Sequence, residues 1–147
     1  MAVGKKVPFL LLLILVIVLW STGVAVAQDG FNTDLDYPQV TYVKAVFQGA
    51  SWTFSVTVHH RDEGWAHYAD RWQVLEPVTG RILAERILAH PHDTEQPFTR
   101  SMRGISIPED VNEVLVRAGC TIHDFGGRQV LVRLAESVKT REYVVVR

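Results

Sequence analysis

The chain contains one cysteine, Cys120, and a histidine follows it three residues later in the stretch CTIHDFGG. Five further histidines precede it. Imidazole nitrogen and thiolate sulfur are the protein ligands that suit iron, copper and zinc. The types and spacing of the cysteine and the histidines in this chain indicate a transition-metal site. The candidate ligands are His60, His67, His90, His92, Cys120 and His123.

The segments around these residues alternate between apolar and polar side chains, which predicts β-strands. In SWTFSVTVHH the apolar side chains and His60 share one face, so His60 is expected to point inward and His59 outward. RILAERILAH would also suit a helix by composition, but its short length after a turn favours a strand. We expect strands at 40–48, 52–60, 68–76, 81–89, 98–106, 113–121 and 128–135, and another in the C-terminal REYVVVR.

Short strands at regular spacing predict an all-β fold, an immunoglobulin-like antiparallel β-sandwich of about seven or eight strands, with Trp72 in its core. Consecutive strands reverse direction, so the second, fourth and sixth connections lie at one end of such a sandwich. Those connections carry all six histidines. Gly126 and Gly127 are expected to let the sixth connection turn through positive φ angles, and RDEG at 61–64 is expected to be a solvated turn.

Two stretches resemble the superoxide reductases of the desulfoferrodoxin and neelaredoxin group: HHRDEGWAHYADRW and CTIH. The resemblance implies an immunoglobulin-type sandwich whose iron is held by four histidines and one cysteine, with Cys120 as axial thiolate and an open sixth position. That family's N-terminal histidine has no counterpart before His59, so His90 or His92 would have to replace it. The region from Gly64 to Ser101 is also similar to small secreted bacterial β-sandwich proteins, which implies no activity.

The N-terminus is typical of a signal peptide. Lys5 and Lys6 precede an apolar run at 9–20, and Ala25-Val26-Ala27 fits a cleavage site. We predict a signal peptide at 1–27, an N-terminal arm at 28–38, a sandwich domain at 39–147, and a periplasmic or secreted location. The membrane would be a partner only if the segment stayed uncleaved, and no cysteine follows the apolar run to accept a lipid.

The net charge and the motifs of the chain restrict the classes of function that the sequence predicts. A net charge of −1 without a basic stripe argues against a nucleic-acid partner, and no motif indicates a nucleotide cofactor or a hydrolase. We therefore expect metal binding at one pole, in a carrier or in a redox site of superoxide-reductase type, and leave open whether the protein is an enzyme. The alternative is a non-catalytic module that binds a periplasmic protein partner through Trp65 and Phe125. In that case Cys120 packs in the core, and the histidines serve packing or respond to pH. The sequence indicates no oligomeric state.

Overall fold

A computed structural model describes residues 33–147. The predicted signal peptide and residues 28–32 of the predicted arm lie outside the described residues. No helix within 33–147 is long and apolar enough to cross a membrane. The described strands are β1 Gln39–Gln48, β2 Ser51–His59, β3 Ala69–Leu75, β4 Ile82–Ile87, β5 Phe98–Ile105, β6 Glu113–Cys120, β7 Val130–Arg133, β8 Val138–Lys139 and β9 Tyr143–Val146.

The strands form two sheets with the orders β5-β2-β1-β9-β8 and β4-β3-β6-β7. Neighbouring strands are antiparallel except β1 and β9, which are parallel. This arrangement confirms the predicted all-β, immunoglobulin-like sandwich, with nine strands in the described chain. The segment that composition alone would also have allowed as a helix forms β4, an edge strand paired with β3. Strand β8 was not predicted because two residues are too short to show a period.

The core lies between the two sheets and follows from the alternation in β2 and β6. Phe54 and Val56 of β2, Trp72 of β3 and Val116 of β6 are fully buried. Burying a side chain of this size stabilises the fold by about 1.5–3 kcal/mol. Cys120, the last residue of β6, is a free buried thiol, so no disulfide contributes within the described range.

Strand pairing brings three connections and the chain segment before β1 to one end of the sandwich. Gln39 pairs with His59, Val58 with Phe98, and Ala69 with Cys120. The loops that follow or precede these residues therefore meet. We call this end the histidine pole; it comprises the arm at 33–38 and the loops at 60–68, 88–97 and 121–129.

The prediction that Gly126 and Gly127 adopt positive φ angles in the loop at 121–129 is wrong. The turn's positive φ belongs to Asp124, at 53°, a residue type that tolerates this region better than most. Gly126 and Gly127 instead allow a close approach. A Cβ on Gly126 would lie 2.4 Å from Cδ1 of Tyr37, and one on Gly127 would lie 2.0 Å from the carbonyl oxygen of Pro38. Any side chain here would displace the arm.

Candidate metal site

The thiol of Cys120 is surrounded by imidazoles. The residue is buried at the end of β6, and its Sγ lies 3.6 Å from Nε2 of His67, which is also buried. His123, three residues further on, places Nδ1 3.8 Å from the same sulfur and donates its backbone N–H to it at 3.2 Å. The Cys-x-x-His spacing thus folds back on itself, because the intervening turn brings Asp124 back to pair with Cys120.

His60 closes the group from the opposite sheet. It follows β2 and is fully buried, as its inward parity predicts. Its ring meets the ring of His67 edge-on, with 4.7 Å between centroids. His60, His67 and Cys120 each offer one ligand atom, and these atoms all lie within 4.8 Å of one another. His123 adds a fourth donor through its contact with the sulfur.

Both ring nitrogens of His60 face oxygen acceptors. Nδ1 lies 2.6 Å from Oδ1 of Asp62, and Nε2 lies 3.1 Å from the carbonyl oxygen of Asp36. A neutral imidazole carries only one N–H. If Nδ1 donates to the carboxylate, the Nε2 lone pair points at a carbonyl oxygen. A metal ion bound at Nε2 would remove this conflict.

Asp62 holds His60 in this orientation. Its carboxylate is fully buried and also accepts the backbone N–H groups of Ala69 at 3.0 Å and His92 at 2.6 Å. Burial alone raises the pKa of Asp62, but the hydrogen bonds from His60, His92 and Ala69 outweigh it, so the pKa lies below the ordinary value of 3.8. The carboxylate is therefore ionised at neutral pH, and it sets Nε2 as the ligand atom of His60.

Two of the distances come close to those between ligands of one metal ion. Ligands bound at about 2.0–2.3 Å with tetrahedral angles are about 3.3–3.6 Å apart. The separations of Cys120 Sγ from His67 Nε2, 3.6 Å, and from His123 Nδ1, 3.8 Å, come within a few tenths of an ångström of that range. Small side-chain movements would bring these atoms to bonding distance.

The structure brings four of the six predicted ligands together and sets the other two apart. Within residues 33–147, the group of close ligand atoms includes neither His90 nor His92. Their rings lie against each other, with centroids 4.5 Å apart. His90 is exposed, whereas His92 is buried and stacks on Phe98 with centroids 3.9 Å apart.

His92 nevertheless supports the site through its backbone, which donates to Asp62. Its side chain is buried, and Nδ1 has no hydrogen-bond partner among the described residues. Burial, followed by the charges of Arg100 and His90, lowers the pKa of His92 below 6.5. The neutral ring stacked on Phe98 is therefore part of the packing under the site.

Sequence reasoning missed three oxygen-bearing groups beside the ligands: the carboxylates of Asp62 and Glu63 and the carbonyl of Asp36. RDEG at 61–64 is a solvated turn only in part, because Asp62 in it is fully buried; its parity, two residues after the inward-facing His60, was the available signal. Glu63 lies 3.4 Å from Nδ1 of His67 but is mostly exposed. No sequence pattern could have indicated the carbonyl of Asp36, because every residue has the same main-chain carbonyl group.

Comparison with known proteins identifies relatives without assigning a function. No family model matches the chain. A protein of Halomicrobium mukohataei named "Putative lipoprotein" is 39% identical over 118 residues, which cover 78% of this chain. The matched region spans 57% of that protein's length, less than two thirds.

Two solved structures align with about two thirds of this chain. A hypothetical protein of Pyrococcus horikoshii OT3 aligns with a TM-score of 0.48 and 13% identity, over 71% of this chain and 95% of that one. A superoxide reductase of Giardia intestinalis aligns with a TM-score of 0.41 and 13% identity, over 65% of this chain and 99% of that one. With TM-scores below 0.5, neither likeness assigns a function, which has to come from the site itself.

Proposed function

We propose that this protein binds a transition-metal ion at the histidine pole through His60, His67, Cys120 and His123. The observation that supports this most directly is a buried thiol with imidazole nitrogens at 3.6 and 3.8 Å. His60 offers another imidazole, and its ligand atom lies within 4.8 Å of those of His67 and Cys120. A thiol that only fills space would be expected among apolar groups, whereas this one has polar rings on two sides.

The donor set restricts the metal. Three imidazoles and one thiolate suit zinc, copper or iron, whereas magnesium and calcium require mostly oxygen ligands. When bound, such an ion would supply Lewis acidity or, for iron and copper, electron transfer. The chain orients His60 through the buried carboxylate of Asp62, 2.6 Å from its far nitrogen. Glu63 lies 3.4 Å from the far nitrogen of His67, but it is mostly exposed and holds that ring only weakly.

A metal-holding role is better supported than turnover of a substrate. His60, His67 and Cys120 are buried, and the Asp36 carbonyl lies over them, 3.1 Å from His60 and 3.0 Å from His123. A redox site of superoxide-reductase type would need an open path for a small anion to the metal. We therefore favour a carrier and keep the redox site as the alternative form of the same proposal.

We also propose that the protein works outside the cytoplasm, in the cell envelope or beyond it. The signal-peptide pattern at 1–27 supports this location, as does the name of the Halomicrobium relative. In this proposal residues 28–38 form the arm and 39–147 the sandwich domain. Both an anchored and a released form would hold the metal in the same way, because the four side-chain ligands proposed here all follow residue 59.

Elemental analysis of protein purified without an affinity tag tests metal binding. We expect near-stoichiometric zinc, copper or iron in the natural protein, loss of it in the His67→Ala, His123→Ala double variant, and retention in the control His90→Ala. His90 is a suitable control because it is an exposed histidine of the same pole outside the ligand group. Equal metal content in all three proteins, or none in any while all are folded and supplied with metal, would contradict the proposal.

A second candidate function is recognition of a protein partner, favoured by exposed apolar side chains at the same pole. Trp65 is 70% exposed and Ile122 59% exposed. Their loops are held together, because Thr121 accepts the backbone N–H of Tyr68 and donates to the carbonyl of Ala66. Folded protein that takes up no metal would leave this function as the better explanation of the pole.

A further inference from the structure

We propose that the main-chain carbonyl of Asp36 is a further ligand of the metal, supplied by the N-terminal arm; this inference rests on the proposed metal site. The carbonyl oxygen lies 3.1 Å from Nε2 of His60, 3.0 Å from Nδ1 of His123 and 3.8 Å from Sγ of Cys120. One oxygen thus faces three of the four proposed ligand atoms.

These distances would let the oxygen bind the same ion as the other ligands. Ligands bound at about 2.0–2.3 Å with angles of about 90–120°, as around a five-coordinate ion, are about 2.8–4.0 Å apart. The three distances from the Asp36 oxygen fall in that range. His60 gives the same indication: its Nε2 faces this oxygen while Nδ1 faces Asp62. With the ring proton on Nδ1 and donated to Asp62, a metal ion bound by both Nε2 and the carbonyl would satisfy the two lone pairs that then face each other.

The arm is held in place by several independent contacts. The side-chain amide of Gln39 donates to the carbonyl of Tyr37 at 2.7 Å. The backbone N–H of Arg61 donates to the carbonyl of Leu35 at 2.8 Å. The guanidinium of Arg61 pairs with the side chain of Asp36, also at 2.8 Å. The peptide that bears the proposed ligand is therefore fixed on both sides, as a preorganised ligand requires.

The loop at 121–129 packs closely against the arm. The ring of Tyr37 lies 4.8 Å from the ring of His123. At Gly126 and Gly127 an added Cβ would come within 2.4 Å of the Tyr37 ring and 2.0 Å of the Pro38 carbonyl. Glycine at both positions thus lets the Asp36 carbonyl reach the ligand group. Three nitrogens, one sulfur and this oxygen make a mixed five-donor set, which suits Zn²⁺ or Fe²⁺ better than Cu⁺, an ion that prefers soft ligands.

Carbon-13 resonances of the carbonyl groups test the ligand directly. The full chain, labelled with carbon-13 and nitrogen-15, is titrated with Zn²⁺ alone. We expect the Asp36 carbonyl resonance to shift in proportion to bound Zn²⁺. The carbonyl of Leu35, the adjacent residue, is already hydrogen-bonded to Arg61 and should shift much less. Because the two residues are neighbours, a general movement of the arm would shift both.

The result distinguishes this inference from the metal site itself. Zn²⁺ binding through the histidines and Cys120 without a selective shift at Asp36 would overturn the carbonyl ligand and leave the metal site standing. Failure to bind Zn²⁺, iron or copper at all would overturn both.

Variants that loosen the arm give a second test. Gly126→Ala pushes against the Tyr37 ring, and Arg61→Ala removes the ion pair to Asp36. Both should lose Zn²⁺ to a chelator faster than the natural protein while binding the same amount. An exposed ion pair holds its partners together by a factor of up to about five, so we expect up to that acceleration for Arg61→Ala.

The matched control is Arg133→Ala, because Arg133 makes a comparable exposed ion pair with Glu113 at 3.1 Å. Thermal unfolding establishes that each variant is folded. An unchanged rate of Zn²⁺ loss in both folded arm variants would overturn the proposal.

Discussion

Replacing Asp62 by asparagine tests how the buried carboxylate supports the site. Oδ1 accepts from His60 and Ala69, and Oδ2 accepts the backbone N–H of His92. An asparagine has one carbonyl oxygen and one NH₂ group. If its oxygen takes the Oδ1 position, the NH₂ faces the His92 N–H. In the opposite orientation the NH₂ faces the Ala69 N–H.

Either orientation leaves at least one buried backbone N–H without an acceptor, which costs about 1–3 kcal/mol. The other hydrogen bonds lose a charged acceptor, and such bonds contribute about 1.5–3 kcal/mol each, against about 1 kcal/mol for neutral ones. We therefore expect Asp62→Asn to lower the free energy of unfolding by about 3 kcal/mol. That is a large share of the total for a domain, about 5–15 kcal/mol.

The assay is urea unfolding at pH 7 with a chelator present, so that bound metal does not contribute. Metal affinity is measured separately by competition with an indicator of known affinity. We expect it to fall by about 10–100-fold, the usual effect of removing the partner of a ligand histidine. Glu63→Gln is the control: this carboxylate also faces a ligand histidine, but it is 59% exposed and 3.4 Å away. Its effect should be small.

A free energy of unfolding within about 0.5 kcal/mol of the natural protein, the range of an unremarkable surface change, would refute the assignment of Asp62 as a buried, fully used acceptor. Lower stability with unchanged metal affinity would retain the structural role and refute the link from Asp62 to the metal through His60.

Three further results are expected. Cys120→Ala should remain folded but lose the thiolate-to-metal absorption of the Co²⁺-loaded protein; an unchanged spectrum would show that the sulfur is not a ligand. The lowered pKa of His92 means that the unfolded chain takes up this proton first as pH falls. The contribution of the neutral His92 to the free energy of unfolding should therefore be complete above about pH 6.5 and be lost below it. The free energy of unfolding should fall less steeply with pH in His92→Phe, and urea unfolding at several pH values measures this. Trp65→Ala should change the free energy of unfolding by less than about 0.5 kcal/mol, since the side chain is 70% exposed; a larger loss would mean that Trp65 packs on the domain.

Most of the architecture could be predicted because the alternation of side chains is local. In β2 the apolar face that begins at Trp52 continues to His60, and that parity alone predicts the burial that the structure shows. Antiparallel order then placed the loops with His67 and His123 at the same end as His60. The short length of the segment after a turn also predicted the strand at β4, although its composition would have suited a helix.

The sequence by itself therefore determined the sandwich, the pole and most of the proposed donor set, since strand period and chain reversal are read residue by residue. Only the tertiary structure decided which histidines meet the thiol: His92 stacks on Phe98 and contributes a backbone N–H, while His123 folds back onto Cys120. It alone revealed the Asp36 carbonyl, because main-chain oxygens differ only in where the fold places them. Loop conformations depend on contacts between residues far apart in the chain, such as the arm on Gly126, and no local pattern encodes those contacts.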